Sequence, residues 1–322
     1  MHSWISVLVA VAILAILEPV NAQTSFPSGP VTMIIAGPEL ENIDSIHRKL
    51  AELVEPILGV KVEIENIPGR GGNDGVSALI AAKADGHVIA AVRNASITAA
   101  PNTGSVTYGI DDVAPIVQTT GGAPLVICAH PRFSADDGED LVELAEDNPG
   151  KFTYATDGIG GIVQIAAERI FQPLRLDVRP VHFDGPAGAI QGFLAREVDL
   201  FIGDISAIIG QTKEGYAKCL LATSAEPTRS FRDVDALDEL DLEDRVTELW
   251  RGLIAPKDTP LDRLQILADA FREAAAMNEF DIYVRRRYEH VKVGTLEAFA
   301  KLIESESRAF AKVAKNIDFT KN

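Results

Sequence analysis

Short apolar runs typical of β-strands alternate with longer amphipathic runs typical of α-helices along nearly the whole chain. This alternation is characteristic of α/β units built around parallel strands. In the first third of the chain we predict strands at 31–36, 60–65 and 88–92, separated by helices at 44–58 and 76–84. These elements amount to one half of a doubly wound sheet.

A second series of the same kind follows. We predict strands at 125–129, 152–155, 179–183, 198–202 and 219–223, and helices at 138–148, 162–172 and 187–195. The last part is mostly helical, with helices predicted at 260–277, 279–288 and 296–315. The predicted fold class is therefore α/β with two doubly wound domains. A chain of this length favours two cores, the first domain comprising 27–121 plus 250–322 and the second 122–249.

The first 22 residues have the features of an export signal. The apolar stretch from Ile5 to Leu17 is too short to span a bilayer with margin, and Val20 and Ala22 are small residues suited to a cleavage site before Gln23. The segment contains no Lys or Arg, so an uncleaved membrane anchor is the alternative. We expect cleavage after residue 22 and a soluble protein in the periplasm.

The charge of the chain disfavours one large class of partners. The formal net charge is −17, and removal of residues 1–22, which contain Glu18 and no base, leaves about −16. Such a protein repels nucleic acids and anionic membrane surfaces. We therefore predict no nucleic-acid partner.

Cys128 and Cys219 are the only cysteines, and each lies in an apolar, strand-like run. Exported proteins commonly form disulfides, so the two thiols could pair. Unpaired cysteines are also commonly buried as small hydrophobic residues. We favour two free, buried cysteines, with a disulfide as the alternative.

Two glycine-rich loops each join a predicted strand to a predicted helix. They are NIPGRGGNDG, residues 66–75, and YATDGIGG, residues 154–161. Backbone N–H groups at a helix N-terminus favour anions. The first loop lacks both the Gly-Lys-Ser/Thr of a phosphate loop and the spacing of a dinucleotide fingerprint, and a plain turn is its alternative. Because the loops belong to different predicted sheets, we expect a ligand held between the domains.

Motifs for catalysis are absent from the sequence. It has no G-x-S-x-G, H-E-x-x-H or C-x-x-C motif, and its six histidines do not have the spacing of metal ligands. We therefore predict a binding protein without a cofactor or a metal site. An exported enzyme on the same fold, and a sensor subunit that presents its ligand to a membrane signalling protein, are the alternatives.

Several segments, in their order and spacing, resemble the solute-binding proteins of tripartite tricarboxylate transporters, also called Bug-type or TctC-type receptors. The matching segments are PSGPVT at 27–32, ENIPGRGGN at 65–73, ADG at 84–86, NPGKFTYA at 148–155, VDL at 198–200, ATS at 222–224 and WRGLIAP at 250–256. The resemblance covers nearly all of the chain after the predicted signal. It implies a monomeric receptor of the type II periplasmic binding protein class, which closes on a small solute, usually a carboxylate, and delivers it to a membrane permease.

In that family the first strand-to-helix loop and the glycine loop of the second domain hold a ligand carboxylate. By position these loops are 37–44 and 156–164 here. The resemblance thus implies ligand contacts at Gly37, Pro38, Glu39, Asn42, Asp44, Thr156, Asp157, Gly158, Gly160, Gly161 and Gln164. To these we add polar or aromatic residues at predicted strand ends, Asn94, Ser96, Thr98, Phe183 and Asp204, for which local hydrogen bonds are the alternative role. Asp44 could equally cap its helix and pair with Arg48.

Acidic residues set this chain apart from the family pattern. Glu39 and Glu41 lie in the first loop, and Asp157 lies in the second, where the usual hydroxyl and histidine are missing. An unpaired acid ~4 Å from a bound carboxylate opposes it by about 4 kcal/mol at an effective dielectric near 20. If these acids face the cleft, we expect a zwitterionic, cationic or neutral amide solute rather than a tricarboxylate. The alternative is that they point to solvent.

Overall fold

The structure is a computed structural model that describes residues 26–227, 232–317 and 319. The predicted signal peptide, 1–22, lies outside these residues. No helix in the described part of the chain is both long enough and apolar enough to cross a membrane.

A first group of strands is built from both ends of the chain. Its parallel strands are β1 (Val31–Ile35), β2 (Val62–Asn66) and β3 (Val88–Arg93), and its connecting helices are α1 (Asn42–Leu58) and α2 (Asn73–Ile80). Late in the chain come β9 (Glu248–Pro256), α7 (Leu261–Ala275), α8 (Asn278–Arg285), the short β10 (His290–Val291) and α9 (Leu296–Ala314). β9 pairs antiparallel with β3, so the C-terminal segment completes the group that the N-terminal segment began.

A second group of strands comes from the middle of the chain. Its strands are β5 (Thr153–Thr156), β6 (Arg179–His182), β7 (Leu200–Asp204) and β8 (Lys218–Ala222), and its helices are α3 (Gly138–Asp147), α4 (Ile162–Phe171), α5 (Gly185–Leu194) and α6 (Ile205–Lys213). β5 pairs in parallel with both β6 and β7. The predicted strands and helices of this region are all present, whereas α6 was not predicted.

One long strand, β4 (Val113–Ala129), joins the two groups. Its first part pairs antiparallel with β9, its last five residues pair with β7, and the last four of these also pair with β8. The ten strands of the described residues therefore form one continuous sheet, in which the path β2-β1-β3-β9-β4-β7-β5-β6 is joined by β8 and β10 at β4. The sequence predicted only residues 125–129 of this strand, because Pro115, the Gly121–Gly122 pair and Pro124 interrupt the strand-like pattern before them.

Helices cover both faces of each group, which confirms the doubly wound α/β class. In β1, Val31, Met33 and Ile35 pack in the core formed with α1 and α7, whereas Ile34 and Ala36 pack in the core formed with α2 and α9. This alternation follows from the two-residue period of a strand. Helix α9 contacts both groups, because Phe299 packs in a core of the first group and Phe310 in a core of the second.

The structure overturns the prediction of two free cysteines. Cys128 of β4 and Cys219 of β8 form a disulfide. The two residues are opposite each other in the antiparallel pairing of these strands. Their positions are 91 residues apart in the chain, so only the tertiary strand pairing brings the two thiols together.

Candidate functional site

Four charged side chains meet where β3 and β9 lie side by side. Arg93, the last residue of β3, is directly opposite Arg251 of β9 in the strand register. Nη1 of Arg93 lies 3.2 Å from the carboxylate of Glu41, and Nη2 of Arg251 lies 3.9 Å from that of Asp204. Glu41 precedes α1 and Asp204 ends β7, so this charge cluster draws residues from both strand groups.

Arg93 occupies the position between the two predicted ligand loops. A Cβ at Gly37 would lie 3.3 Å from its Nη2, so this glycine leaves room for the guanidinium. Burial lowers the pKa of Arg93, and the negative charges of Glu41 and Asp157 oppose that shift. Nε of Arg93 is shielded from solvent and has no hydrogen-bond partner among the described residues. A buried donor without an acceptor is costly, which makes this atom a candidate for contact with a ligand.

Arg251 is held by the protein itself. Its guanidinium forms an ion pair with Glu289, and both side chains are almost completely buried. Glu289 also accepts hydrogen bonds from Asn42 (3.0 Å) and Thr120 (2.9 Å). Burial raises the pKa of Glu289, and the charge of Arg251 offsets part of that shift. This network ties β9, β4 and the start of α1 together, which gives Asn42 a structural partner on the protein.

Within the first predicted loop, Asp44 has a full set of partners. Its carboxylate accepts from the backbone N–H of Leu40 (3.0 Å), from Nε of Arg48 (2.8 Å) and from Asn66 (2.9 Å). It is 2% exposed. The predicted pairing of Asp44 with Arg48 is present. Asp44 therefore closes the loop onto α1 and has its acceptor sites occupied.

The outer part of the same loop points away from the charge cluster. Pro38 and Glu39 are exposed, and Leu40 is 89% exposed. Glu39 and Leu40 border a groove of about 780 Å³ between α1 and α8, whose lining contains no described residue of the second strand group. Of the two acids in this loop, Glu41 faces the cluster and Glu39 faces solvent.

Internal hydrogen bonds fix the second predicted loop. The backbone N–H of Gly160 donates to Oε1 of Gln164 (2.8 Å), and Oγ1 of Thr156 lies 2.7 Å from Nδ1 of His182. Gly158 and Gly160 have φ values of +129° and +71°, which a residue with a Cβ rarely adopts. A Cβ at Gly160 would lie 2.5 Å from the side chain of Thr103, a residue that precedes β4. This loop therefore packs directly against the first part of the chain.

Asp157 is the charged residue of that loop. Its carboxylate lies against the start of α4, where a Cβ at Gly161 would collide with Oδ1. Burial raises the pKa of Asp157 to about 6, while backbone N–H groups of Asp157 and Val163 and the charge of Arg93 favour the ionised form. Oδ1 is shielded from solvent and accepts no hydrogen bond from the described part of the chain. Asp157 and Arg93 thus each present a polar atom without a partner.

The turn that follows β3 faces a different part of the molecule. Asn94 and Thr98 donate to the two carboxylate oxygens of Glu306 in α9, at 3.1 Å and 2.8 Å. Nε1 of Trp250 also donates to Glu306 (2.8 Å). Burial raises the pKa of Glu306, and these donors oppose the shift. Asn94 and Thr98 therefore bind the protein, and Ser96, also buried, donates only a long bond of 3.4 Å to the carbonyl of Arg93.

The two remaining predicted contacts have local roles. Asp204 accepts from the backbone N–H of Ser206 (2.8 Å) and so caps α6, with its other oxygen turned toward Arg251. Phe183 packs over Gly192 of α5, where a Cβ would collide with its ring. No group of three or more His, Cys, Asp or Glu side chains in residues 26–227 and 232–317 is arranged to hold a metal ion.

Sequence reasoning missed Arg93, Arg251 and Thr103. Arg93 ends an otherwise apolar run, VIAAVR, and a cation at the carboxyl end of a buried strand is a signal that could have been used. Arg251 lies within the segment WRGLIAP, which was used only for the resemblance. Thr103 carries no local signal, because its contact with Gly160 exists only in the tertiary structure.

Comparison with known proteins identifies the family. The sequence model of one protein family, the tripartite tricarboxylate transporter family receptor TctC, matches residues 46–319. The chain is 28% identical over 271 residues to a UPF0065 protein of Bordetella pertussis, covering 84% of this chain and 83% of that protein. It is 25% identical to protein BugT of the same organism, covering 82% and 81%.

Solved structures show the same fold. A TctC solute-binding protein from Polaromonas, without ligand, has a TM-score of 0.77 at 20% identity and covers 91% of this chain and 100% of that one. MatC from Rhodopseudomonas palustris, with bound malate, has a TM-score of 0.77 at 22% identity and covers 90% and 100%. These proteins are solute-binding receptors and not enzymes. The chain described here belongs to the TctC family of tripartite tricarboxylate transporter receptors.

Proposed function

We propose that this protein is a periplasmic receptor that captures a small carboxylate-bearing solute and delivers it to a membrane permease of the tripartite tricarboxylate type. The solute binds between two domains, 27–121 plus 250–322 and 122–249, at the charge cluster around Arg93. Residues 1–22 direct export and are removed. The mature protein acts as a monomer.

The observation that carries this proposal is the environment of Arg93. Its guanidinium lies beside Gly37 and Glu41 of the first loop and interacts electrostatically with Asp157 of the second. Its Nε has no acceptor among the described residues. A carboxylate oxygen is a strong acceptor for a guanidinium, and such charge-assisted bonds are about twice as strong as neutral ones. A bound solute carboxylate would supply the missing acceptor.

Two relatives of known structure support a carboxylate ligand. MatC was solved with malate, and Rpa4515 of R. palustris, with a TM-score of 0.76 at 18% identity, was solved with adipate. Both ligands are small carboxylates. In this chain the group proposed to bind the solute carboxylate is the guanidinium of Arg93.

Opening and closing of the site fits the strand topology. Strand β4 and helix α9 contact both strand groups, and the Gly121–Gly122 pair lies at a shift of register in the pairing of β4 with β9, shortly before the residues that pair with β7. Gly122 has a φ of +72°, which gives the strand a conformation that other residues rarely adopt. A hinge at this position would let the loop at 156–164 separate from Thr103 and admit the solute.

A thermal-shift screen of the mature protein, residues 23–322, tests the function. Mono-, di- and tricarboxylates, amino acids, amines and amides are each added, because a ligand that binds only the native state at 100 times its Kd adds about 2.7 kcal/mol of stability. We expect at least one carboxylate to stabilise the protein and Arg93→Gln to abolish that effect.

Arg132→Gln is the matched control for this screen. Arg132 is exposed and follows the end of β4 that pairs with the start of β7, whereas Asp204 of the charge cluster is at the other end of β7, so the Arg132 variant should retain the full shift. Chemical conversion of a bound solute, or stabilisation only by amines that Arg93→Gln leaves unchanged, would contradict the proposal.

A further inference from the structure

We infer that the cleft selects solutes that carry a carboxylate and, at the other end of a short chain, an amine, and that Asp157 is the residue that imposes this choice. The inference rests on the proposed function, because it assigns the solute carboxylate to Arg93. The expected solutes are therefore amino acids, including those with the amine beyond the α-carbon, rather than di- or tricarboxylates. The two charged ends of such a solute would face two protein groups of opposite charge.

An acid of the protein lies close to each helix N-terminus that could hold a solute carboxylate. At the start of α1, Asp44 accepts the backbone N–H of Leu40. At the start of α4, the carboxylate of Asp157 lies against Gly161, and the backbone N–H group of Val163 favours its ionised form. A second carboxylate placed at either end would meet a nearby like charge. Arg93, a cation with an unpaired donor, is therefore the favoured position for the solute carboxylate.

Two of the buried atoms that have no partner in the described part of the chain are of complementary character, and Nε of Arg251 in the same charge cluster is a further donor without one. Nε of Arg93 is a donor that needs an acceptor, and Oδ1 of Asp157 is an acceptor that needs a donor. A dicarboxylate can satisfy only the first of these atoms. An amino acid can satisfy both, with its carboxylate on Arg93 and its ammonium group on Asp157.

The charges around the site favour the same ligand. Arg93 interacts with Glu41 and Asp157, whereas Arg251 is paired with Glu289 and lies near Asp204. Two cations thus face four acids, and one of the two cations already has a buried partner. A dianionic solute would add to an excess of negative charge, and a solute with one charge of each sign would not.

Calorimetric titration of the mature protein at pH 7.5 with matched pairs of compounds tests the inference. Each pair keeps the chain length and exchanges one carboxylate for an ammonium group: malonate with glycine, succinate with β-alanine, and glutarate with 4-aminobutanoate. We expect the amino member of at least one pair to bind at least tenfold more tightly than the dicarboxylate. In Asp157→Asn this preference should disappear, with the amino acid losing at least tenfold in affinity and the dicarboxylate losing none.

Two further variants separate selection from folding. Asp157→Ser keeps an acceptor without the charge, and it should also lose the preference if the charge is what selects. Asp184→Asn, at an exposed acid next to the same loop, should keep the wild-type preference. Thermal unfolding of each variant establishes that the binding data refer to folded protein.

The outcomes distinguish this inference from the proposed function. If dicarboxylates bind as tightly as their amino counterparts, or if Asp157→Asn weakens both members equally, Asp157 only caps α4 and the inference is wrong while the receptor function stands. If no compound of the panel binds, or if Arg93→Gln leaves carboxylate binding unchanged, the proposed function fails and the inference fails with it.

Discussion

The two loops predicted to hold a ligand each contain an aspartate, Asp44 in the first turn of α1 and Asp157 directly after β5, and the two aspartates differ in their hydrogen bonds. Asp44 accepts three hydrogen bonds, from Leu40, Arg48 and Asn66. Asp157 is less deeply buried as a residue, yet its Oδ1 is shielded from solvent and accepts none from the described residues. The same residue type in a strand-to-helix connection therefore builds the fold in one loop and leaves an acceptor unpaired in the other.

This difference gives a criterion for functional residues. Buried polar groups in folded proteins are almost always paired, so an unpaired one calls for an explanation. Asn94 and Thr98 looked like ligand contacts by their position after β3, but Glu306 takes up their donors. Arg93 was not predicted, and its Nε is free of any partner that the structure describes. Asn94 also keeps an unpaired acceptor, its shielded Oδ1, so the distinction concerns charged groups: Arg93 and Asp157 each leave an atom of a charged group unpaired, whereas the donors of Asn94 and Thr98 are taken up.

The largest expected effect on stability comes from removing the carboxylate of Asp44, which has all its partners. Asp44→Ala leaves the backbone N–H of Leu40 and the side chains of Arg48 and Asn66 without their acceptor, and we expect the free energy of unfolding to fall by about 2–3 kcal/mol. Urea denaturation of the unliganded protein measures it. Asp258→Ala, at an exposed acid, is the control and should change stability by less than about 0.5 kcal/mol. Equal stability of the two variants would refute the structural role of Asp44.

A glycine pair tests whether the second loop closes against the first part of the chain. Gly160 and Gly59 both have a φ of +71°, but only at Gly160 would a Cβ meet another side chain, that of Thr103. Both Gly→Ala variants should lose about 1 kcal/mol of stability from backbone strain. Gly160→Ala should in addition weaken solute binding at least tenfold, about 1.4 kcal/mol, because the added methyl group keeps the loop from closing.

Gly59→Ala should retain the wild-type affinity, since nothing described lies within 4 Å of its new Cβ. The two affinities are measured by calorimetric titration with the best solute of the screen. If both variants bind that solute equally well, contact between the loop and Thr103 is not part of the bound state.

Neutralising Asp157 and neutralising Asp44 should change the free energy of unfolding in opposite directions. Asp157→Asn removes a buried charge that lacks a full set of partners, so we expect the unliganded protein to gain about 1–2 kcal/mol at pH 7.5. Asp44→Asn should lose stability, because it weakens the pairing with Arg48. Melting temperatures of the two variants, measured without solute, give the comparison. A loss of stability in both variants would mean that Asp157 is satisfied as well.

The smallest effect is the pH dependence. The pKa of Asp157 is raised to about 6 in the folded protein, from 3.8. The folded state therefore holds a proton that the unfolded state releases. The contribution of Asp157 to the free energy of unfolding is constant below about pH 4, falls as the pH rises toward 6, and is constant again above it.

Comparison with Asp157→Asn isolates this contribution. Burial lowers the pKa of His182, which gives a dependence of opposite sign, and lowers that of His47 to about 4. Glu41, Asp204, Arg93 and both histidines are present in both proteins. Urea denaturation from pH 4 to pH 7 should therefore show the stability advantage of Asp157→Asn growing with pH. An advantage that does not change with pH would show that Asp157 titrates normally.

How much of the site could be predicted from the sequence differs between its parts. The loop at 156–164 was indicated both by the strand-to-helix alternation and by the resemblance, whereas the loop at 37–44 came from the resemblance alone. The pairing of Asp44 with Arg48 was predicted from their spacing, but the unpaired Oδ1 of Asp157 was not, because it depends on what surrounds that residue in the tertiary structure. The carry-over from the family also named Pro38 and Glu39, which are exposed, and Glu39 lies at the groove between α1 and α8.

Local patterns determined the order of strands and helices in this chain, because hydrophobic periodicity and turn residues act over a few positions. Only the tertiary structure decided the pairing of Cys128 with Cys219, the passage of β4 between the two strand groups, and the meeting of Arg93 with Glu41 and Asp157. These contacts join residues far apart in the chain. Their existence depends on how the whole sheet closes, and their energies depend on burial that no single segment can provide by itself.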